Sequence, residues 1–212
     1  LQVVLRTTGS YEESFVPTLV MMHGMTGTSG MMKPFAEKIL PDGWDLIVPQ
    51  AEFSHTNRGY TWWRYEGPDQ PGRRILTSKE LSDVDSSLLS LVKILPDDEL
   101  VLGGFSQGGA MAQELLQFDL NVIGIMTIAT RAVRPMELRQ RLREIPTSNI
   151  LWMHGESDHR VSLEAGLEIV EIFSEFGWNV EKIQHRKGHM IPIEFHLSLK
   201  EWLEDLQTKN QL

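Results

Sequence analysis

The sequence predicts an α/β fold, in which a mostly parallel central sheet carries helices on both faces. Short, continuously apolar runs alternate along the chain with longer amphipathic stretches. Strands that are buried on both faces of a parallel sheet have this continuous apolar character, and alternating strand and helix signals are typical of that architecture. The length of 212 residues fits one domain, and we expect a single domain over residues 1–212.

Apolar runs give the strand candidates. The strong ones are TLVMM (18–22), DLIVP (45–49), ELVLGGF (99–105), VIGIMTIA (122–129) and ILWMH (150–154). Weaker candidates are LQVVLRT at the start and WNVEKIQH (178–185). In parallel sheets, functional residues collect in the loops at the carboxyl ends of the strands. The search for a site therefore concentrates on the residues that follow each run.

Amphipathic stretches predict the helices between these strands. Residues 79–95 place apolar side chains at steps of three and four, which puts them on one helix face. The stretch that follows Ser162, a suitable N-cap, ends at Gly177. Pro135 and Pro192 each suit the first turn of a further helix.

The glycine-rich stretch GGFSQGGAM (103–111) lies between a strand candidate and a helix candidate. A phosphate-binding P-loop is excluded, because Ala110 and Met111 stand where Lys and Ser or Thr are needed, and the dinucleotide spacing G-x-G-x-x-G is also missing. Residues 104–108 instead match G-x-S-x-G, in which a serine nucleophile stands on a sharp strand-to-helix turn. Ser106 is the candidate nucleophile. The alternative is a close packing turn that contains a serine by chance.

A serine nucleophile needs a histidine base that is oriented by an acid. On such a strand–turn–helix motif the order along the chain is serine, acid, histidine. Glu156 and Asp158 follow the strand candidate ILWMH, and we expect Asp158 to be the acid. His189 lies in the loop between the last strand and the last helix, and we expect it to be the base.

Other downstream histidines are less well placed: His159, His185 and His196. His185 and His189 are four residues apart, as metal ligands often are, but Gly188 between them argues against a helix there. We therefore expect no metal site.

An early loop, VMMHGMTGTSG (20–30), follows the first strong strand candidate. The backbone N–H of Met25 in this loop would complement the backbone N–H of Gln107, so that both could bind an oxyanion. In this interpretation Gln107 acts through its backbone more than through its amide. An ordinary strand-to-helix turn is the alternative for this loop.

Together these motifs resemble the phospholipase/carboxylesterase family of the α/β-hydrolases, which includes acyl-protein thioesterases. The matching pieces are HGMTGTSG, GFSQGGAMA, HGESDHRVSLEAG and GHMIPIEFHLSLKEWL, which lie between residues 18 and 203. The resemblance implies a single-domain α/β-hydrolase fold without a cofactor. The long segment 50–77 is short for a separate lid domain, so we expect none. It also implies a triad of Ser106, Asp158 and His189, with Met25 and Gln107 as the oxyanion hole.

Two departures from the family pattern concern the substrate. The early loop lacks the acidic residue that family members often carry, and Arg64 in TWWRYEG stands where an Asp is usual. The long segment 50–77 is rich in aromatic residues and arginines, including Arg73 and Arg74. These aromatic residues could form the wall of an acyl or aryl pocket, or the tryptophans could simply anchor the segment. The substrate-binding candidates are Thr26, Trp62, Trp63 and Arg64.

Composition narrows the possible partners. The formal net charge of -9 argues against a general nucleic-acid binder. The absence of cysteine excludes disulfides and a thiol nucleophile, and no apolar run is long enough to span a membrane. The first residues do not have the pattern of a signal peptide, and we expect a cytoplasmic protein. A homodimer is compatible with the sequence.

These observations predict a serine carboxylesterase that acts on small to medium esters, or on thioesters, through an acyl-enzyme. Alternatives on the same triad are an acyl-protein thioesterase and a peptidase. A hydrolase-derived protein that only binds a ligand is an alternative from another class.

Overall fold

The computed structural model describes residues 4–5, 16–66 and 75–210. The strands are β1 (Val4–Leu5), β2 (Thr18–Met22), β3 (Asp45–Ile47), β4 (Phe53–Ser54), β5 (Tyr60–Thr61), β6 (Leu100–Phe105), β7 (Val122–Ile128), β8 (Asn149–Gly155) and β9 (Asn179–His185). The α-helices are α1 (Ser29–Ile39), α2 (Ser78–Val92), α3 (Gln107–Glu114), α4 (Pro135–Leu142), α5 (Leu163–Glu175) and α6 (His196–Asn210).

In the described part of the chain, seven strands form the central sheet in the order β1-β3-β2-β6-β7-β8-β9. Six of them run parallel to one another, and β1 pairs with β3 in the antiparallel direction. The predicted α/β class with a mostly parallel sheet is confirmed. Strand β9 lies at one edge of the sheet, where only its last residue is fully buried, which explains why its apolar signal in the sequence is weak.

Helices cover both faces of the sheet, as predicted. Alternate residues along β2 supply the two cores: Leu19 and Met21 pack with α1 and α6, whereas Val20 and Met22 pack with α2 to α5. Both sets are completely buried. Because successive side chains of a strand point to opposite faces, a strand in this position must be apolar throughout.

Side-chain caps fix where several helices begin. Thr28 accepts a hydrogen bond from the N–H of Met31 at the start of α1. Thr77 and Glu80 form a reciprocal capping box at the start of α2. The predicted N-cap of α5 is confirmed, because the Ser162 side chain accepts from the N–H of Ala165.

Two regions differ in detail from the sequence prediction. Pro192 does not start an α-helix directly, since a short 3-10 turn over Ile193–Phe195 precedes α6. The long segment 50–77 contains a small antiparallel ribbon formed by β4 and β5. Arg73 and Arg74 lie outside the described residues. No helix in the described part of the chain is both long enough and apolar enough to cross a membrane.

Candidate active site

Ser106 stands on the turn between β6 and α3, with its backbone in the left-handed region at φ 54°. A non-glycine residue in this region costs on the order of 1–3 kcal/mol, so the surrounding structure must hold it there. The N–H of Ser106 donates to the carbonyl oxygen of Ile128 at 2.8 Å. Strand β7 therefore supports the turn from the side.

Gly104 and Gly108 flank the serine at positions where no side chain fits. A Cβ on Gly104 would lie 2.2 Å from the carbonyl carbon of Gly108, and a Cβ on Gly108 would lie 2.2 Å from the carbonyl oxygen of Met22. Strand β6, helix α3 and strand β2 thus approach one another at backbone distance. The turn around Ser106 therefore requires a residue without a side chain at both positions.

Ser106, His189 and Asp158 are joined by hydrogen bonds, although they come from three separate loops. The His189 Nε2 atom lies 3.0 Å from Ser106 Oγ, and His189 Nδ1 lies 2.7 Å from Asp158 Oδ2. The neighbouring carboxylate indicates that Nδ1 carries the proton, which leaves Nε2 free to accept the serine proton. The ring of Phe105 packs against the His189 ring at a centroid distance of 4.8 Å.

The turn after β8 presents Asp158 to the histidine. Asp158 Oδ1 accepts hydrogen bonds from the N–H groups of Arg160 at 2.8 Å and Val161 at 2.9 Å, and Oδ2 is left for His189. Burial by itself would raise the pKa of Asp158, but the hydrogen bonds from His189 and Val161 outweigh it and lower the pKa. The carboxyl is therefore ionised at neutral pH.

The second acidic candidate, Glu156, lies outside this arrangement. Its side chain is exposed, and Glu156 Oε1 accepts from Gln184 Nε2 at 3.0 Å. Two residues of the same turn thus have opposite surroundings, because only Asp158 points into the protein. Glu156 therefore serves as a natural comparison for Asp158.

The remaining downstream histidines do not contact Ser106. His159 is exposed, His185 is buried at the end of β9, and His196 bonds the carbonyl oxygen of Ile193. Within the described ranges, no cluster of three or more His, Cys, Asp or Glu side chains could hold a metal ion.

His154 supports the acid turn from beneath, which sequence reasoning missed. It is completely buried, and its Nε2 donates to the carbonyl oxygen of Val161 at 3.0 Å. Helix α5 packs directly on its ring, since a Cβ on Gly166 would lie 2.5 Å from His154 Nδ1. Burial lowers the pKa of His154 and favours its neutral form. The sequence feature that could have indicated this role is the position of His154, four residues before Asp158 and at the end of a buried strand.

The early loop (20–30) lies beside Ser106. A Cβ on Gly24 would lie 3.2 Å from Ser106 Cβ, so Met25 follows at the edge of the site. Thr26 has φ 67°, and its N–H donates to the carbonyl oxygen of Tyr60 at 2.9 Å. The N–H groups of Met25 and Gln107 donate to no acceptor among the described residues. Both are therefore available to a substrate oxygen.

His23 anchors this loop through both ring nitrogens, a second contribution that the sequence did not reveal. Nδ1 donates to the carbonyl oxygen of Gly24 at 2.8 Å, and Nε2 accepts from the N–H of Ala51 at 3.1 Å. Burial lowers the pKa of His23, which agrees with a neutral ring that donates at one nitrogen and accepts at the other.

A sequence model of the phospholipase/carboxylesterase family matches residues 8–207. The chain belongs to this family. The family confirms the predicted α/β-hydrolase fold and the predicted serine hydrolase class of enzyme.

Individual relatives agree with this assignment. Acyl-protein thioesterase 1 of Neurospora crassa is 26% identical over 123 residues, a match that covers 54% of this chain and about half, 49%, of the relative. Zea mays acyl-protein thioesterase 2 is similar in structure, with a TM-score of 0.75 at 19% identity, over 97% of this chain and 98% of that one. The carboxylesterase of Bacillus cereus gives 0.71 at 16% identity, over 97% and 93%. At these identities the structural similarity shows the fold.

In this phospholipase/carboxylesterase family member, the side chain of Gln107 has a structural role that the prediction, which concerned its backbone N–H, did not include. Oε1 accepts from the N–H of Trp62 at 3.1 Å and lies 2.8 Å from the Thr61 hydroxyl, while Nε2 donates to the carbonyl oxygen of Trp63 at 3.3 Å. The amide thus ties the first turn of α3 to the long segment.

Trp62 and Trp63, predicted as substrate-binding candidates, are buried in the protein with exposures of 1% and 2%. Trp62 Nε1 donates to the carbonyl oxygen of His23 at 2.7 Å. These contacts agree with the loop-anchoring interpretation and disagree with an exposed aromatic wall. An indole ring buries a large area, so packing alone accounts for both residues.

Arg64, the residue that departs from the family pattern, forms an ion pair with Asp83 of helix α2. Arg64 Nε donates to Asp83 Oδ2 at 2.9 Å, and Nη2 donates to Oδ1 at 2.7 Å. Its guanidinium also lies 4.3 Å from the centroid of the Phe53 ring. The side chain is nevertheless 56% exposed.

Proposed function

We propose that the protein hydrolyses carboxylic esters or thioesters through a covalent acyl-enzyme on Ser106. The observation that carries the proposal is the continuous hydrogen-bonded series from Ser106 Oγ through His189 to Asp158, with distances of 3.0 Å and 2.7 Å. A serine hydroxyl is a weak nucleophile at neutral pH unless an adjacent base removes its proton, and this arrangement supplies such a base.

In the acylation step, Ser106 Oγ attacks the acyl carbon while its proton passes to His189 Nε2. The carbonyl double bond becomes an oxyanion, which the N–H groups of Met25 and Gln107 would bind. The oxyanion then collapses and the bond to the leaving group breaks, so that the alcohol or thiol departs with the proton from His189. The Asp158 carboxylate stabilises the imidazolium that exists between these two transfers.

In the deacylation step, water takes the place of the leaving group. His189 Nε2 accepts a proton from the water as its oxygen attacks the acyl carbon, and it returns that proton to Ser106 Oγ as the acid is released. No cofactor is needed for either half of this cycle, because every proton is exchanged between the substrate, water, Ser106 and His189, while Asp158 stays ionised.

The test of this function is the Ser106→Ala variant with para-nitrophenyl acetate as substrate. We expect a folded protein whose kcat is reduced by roughly 10³-fold or more. A fluorophosphonate probe should label the wild-type protein on Ser106 and should not label the variant. Turnover near the wild-type rate in the variant would overturn the assignment. Failure of the folded wild-type protein to react with the probe would favour a ligand-binding protein instead.

A panel of esters and thioesters of increasing acyl length addresses the substrate. Small and medium acyl groups are the proposed range. Both ester and thioester bonds are included because the similar proteins are an acyl-protein thioesterase and a carboxylesterase. Equal kcat/KM for an ester and the matched thioester would support a general acyl hydrolase. A thioester preference would support the thioesterase alternative.

A further inference from the structure

The early loop contains a tight turn over residues 24–27. The N–H of Gly27 donates to the carbonyl oxygen of Gly24 at 3.0 Å and closes this turn. Thr26, its third residue, has φ 67°, a conformation for which turns normally use Gly or Asn. A β-branched residue is an outlier there, so contacts from outside the turn have to hold Thr26 in this conformation.

The ribbon of β4 and β5 (53–61) supplies these contacts through the backbone of Tyr60. The N–H of Thr26 donates to the carbonyl oxygen of Tyr60 at 2.9 Å, and the N–H of Tyr60 donates to the carbonyl oxygen of Gly27 at 3.0 Å. Gly27 and Tyr60 are thereby paired as an antiparallel β-bridge. The two hydrogen bonds lie before and after the Thr26 carbonyl along the chain, and together they hold the backbone of Thr26 in place.

Gly59 allows the ribbon to approach the turn at backbone distance. A Cβ on Gly59 would lie 2.3 Å from the carbonyl oxygen of Thr26 and 2.8 Å from that of Gly27. The carbonyl oxygen of Gly59 accepts from the N–H of His55 at 2.9 Å, which fixes Gly59 to the other half of the ribbon. The contact joins main-chain atoms on both sides, so neither side can rotate away as a flexible side chain would.

The same turn determines the direction of the Met25 N–H. This N–H and the carbonyl group of Gly24 belong to one trans peptide unit, in which they point in opposite directions. The Gly24 oxygen accepts from the N–H of Gly27 and from His23 Nδ1 at 2.8 Å. Because two donors fix the carbonyl group, they also fix the N–H on its opposite side. Displacement of Gly27 would therefore rotate the Met25 N–H.

We propose that the backbone of Gly59 and Tyr60 positions the oxyanion hole by holding the turn that carries the Met25 N–H. Both are positioning residues, because they act on the substrate through the turn. The inference rests on the proposed function, since the oxyanion forms only when Ser106 attacks an acyl carbon. An oxyanion donor is most effective when it is oriented before the reaction, because no reorganisation is then required as the charge develops.

The first test is Gly59→Ala, which introduces the clash without removing a polar group. One measured quantity is kcat for para-nitrophenyl butyrate per active site, with active sites counted by fluorophosphonate labelling. The other is the inhibition constant Ki of trifluoromethyl propyl ketone. Ser106 Oγ adds to the ketone carbon, the Ser106 proton passes to His189 Nε2, and the ketone oxygen becomes an oxyanion like the one formed from the ester.

In Gly59→Ala we expect kcat per active site to fall at least about tenfold, less than the roughly 10²- to 10³-fold loss that follows complete removal of an oxyanion donor. The Ki of the ketone should rise by a similar factor, and this constant does not depend on the fraction of folded enzyme. The pH dependence of kcat/KM should stay unchanged, because it reports on the base His189 and not on the oxyanion hole.

Gly43→Ala is the matched control. Gly43 has φ 85°, so alanine there imposes a comparable backbone strain, but its Cβ would meet no atom of the described residues within 4 Å. Gly43 lies between α1 and β3, at the amino end of the sheet, whereas Ser106 follows the carboxyl end of β6. Its kcat and Ki should equal those of the wild-type protein.

A second pair of variants tests the hydrogen bonds without a clash. Tyr60→Pro removes the N–H that donates to Gly27, whereas Tyr60→Ala keeps it, and both remove the same exposed side chain. The bond from the N–H of His55 to Gly59 is available in both variants, so the ribbon can stay paired. We expect the Ki of the ketone to be at least about threefold higher in Tyr60→Pro than in Tyr60→Ala, the scale of one lost hydrogen bond.

A Ki within about twofold of the wild-type value in folded Gly59→Ala would overturn the inference and leave the proposed function intact. Should Gly59→Ala not fold, the Tyr60 pair decides, and equal Ki values in its two members would overturn the inference. Absence of Ser106-dependent turnover of para-nitrophenyl butyrate in the wild-type protein would overturn the proposed function and this inference together.

Discussion

At the residue scale, the proposed chemistry depends on the surroundings of three side chains, Ser106, His189 and Asp158. Asp158 is buried, yet its pKa lies below its usual value because N–H groups and His189 bind its carboxylate. The Asp158 carboxylate therefore stays charged beside His189. An isosteric amide at this position would donate or accept differently and would favour the wrong tautomer of the ring.

Asp158→Asn tests this dependence on charge. We expect kcat to fall by about 10³- to 10⁴-fold, because the amide cannot stabilise an imidazolium. Glu156→Gln is the control, since it removes a carboxylate from the same turn but from an exposed side chain that bonds Gln184. The measurement is the steady-state hydrolysis of para-nitrophenyl acetate by both variants. Equal losses in the two variants would contradict the role assigned to Asp158.

At the element scale, close backbone contacts at the glycines and the side-chain amide of Gln107 hold the parts of the site together. Helix α3 can start directly beside β2 because Gly108 has no side chain. The long segment reaches the site because Gln107 binds residues 61–63, and Trp62 in turn binds the end of β2 at His23. Movement of any one of these elements would therefore displace the proposed oxyanion donors.

Gly108→Ala should destabilise the protein through a clash between elements. The new Cβ would lie 2.2 Å from the carbonyl oxygen of Met22, and backbone atoms cannot move aside without shifting a strand. We expect the free energy of unfolding to fall by about 2–3 kcal/mol or more. Gly30→Ala in α1 is the control, because its nearest contact would be a Thr28 Oγ1 atom at 3.8 Å. Urea denaturation of the two variants measures the difference, and similar stabilities would refute the packing argument.

Gln107→Ala should weaken both stability and activity. The substitution leaves the N–H of Trp62 without its acceptor, which costs about 1–3 kcal/mol. The carbonyl oxygen of Trp63 loses one of its two donors and keeps the Thr61 hydroxyl. The kcat/KM for esters should fall as well, since the long segment loses its attachment to α3. Gln113→Ala provides the control: this buried glutamine of the same helix bonds the carbonyl oxygen of Gly109 within the helix. Equal kcat/KM in the Gln107 and Gln113 variants would show that the attachment of the long segment to α3 is unimportant for activity.

At the scale of the whole molecule, features that depend on neighbours in sequence could be predicted more completely than features that depend on distant contacts. The buried strands and the N-cap Ser162 depend on neighbours in sequence, and both were predicted correctly. The role of the Gln107 amide depends on residues more than forty positions away. Nothing in a single sequence indicates such a partner.

Other parts of the site show the same limit. The approach of His189 to Ser106 joins residues 83 positions apart, and it could be anticipated only because the order of serine, acid and histidine is shared by a known family. The burial of Trp62 and Trp63 could not be distinguished from exposure, since aromatic residues are typical both of binding surfaces and of cores. The ion pair of Arg64 could not be predicted either, because its partner Asp83 lies on helix α2, which begins after the long segment.

The buried histidines give the whole protein a predictable response to pH. His23, His154 and His185 are buried, and burial lowers the pKa of each. Unfolded histidine titrates near a pH of about 6.5, so below that value the unfolded chain binds more protons than the folded one, and stability falls with decreasing pH. Each histidine contributes up to about 1.4 kcal/mol per pH unit until its folded-state pKa is reached. The lowered pKa of Asp158 acts in the same direction only in more acid solution, below a pH of about 4.

Urea denaturation at pH values of about 7.5 and 5.5 tests this response, and the free energy of unfolding should be clearly smaller at the lower pH. His23→Gln should reduce that loss, whereas His159→Gln, at an exposed position, should leave it unchanged. Equal stability of the wild-type protein at both pH values would mean that the three histidines are protonated as readily in the folded protein as in the unfolded chain.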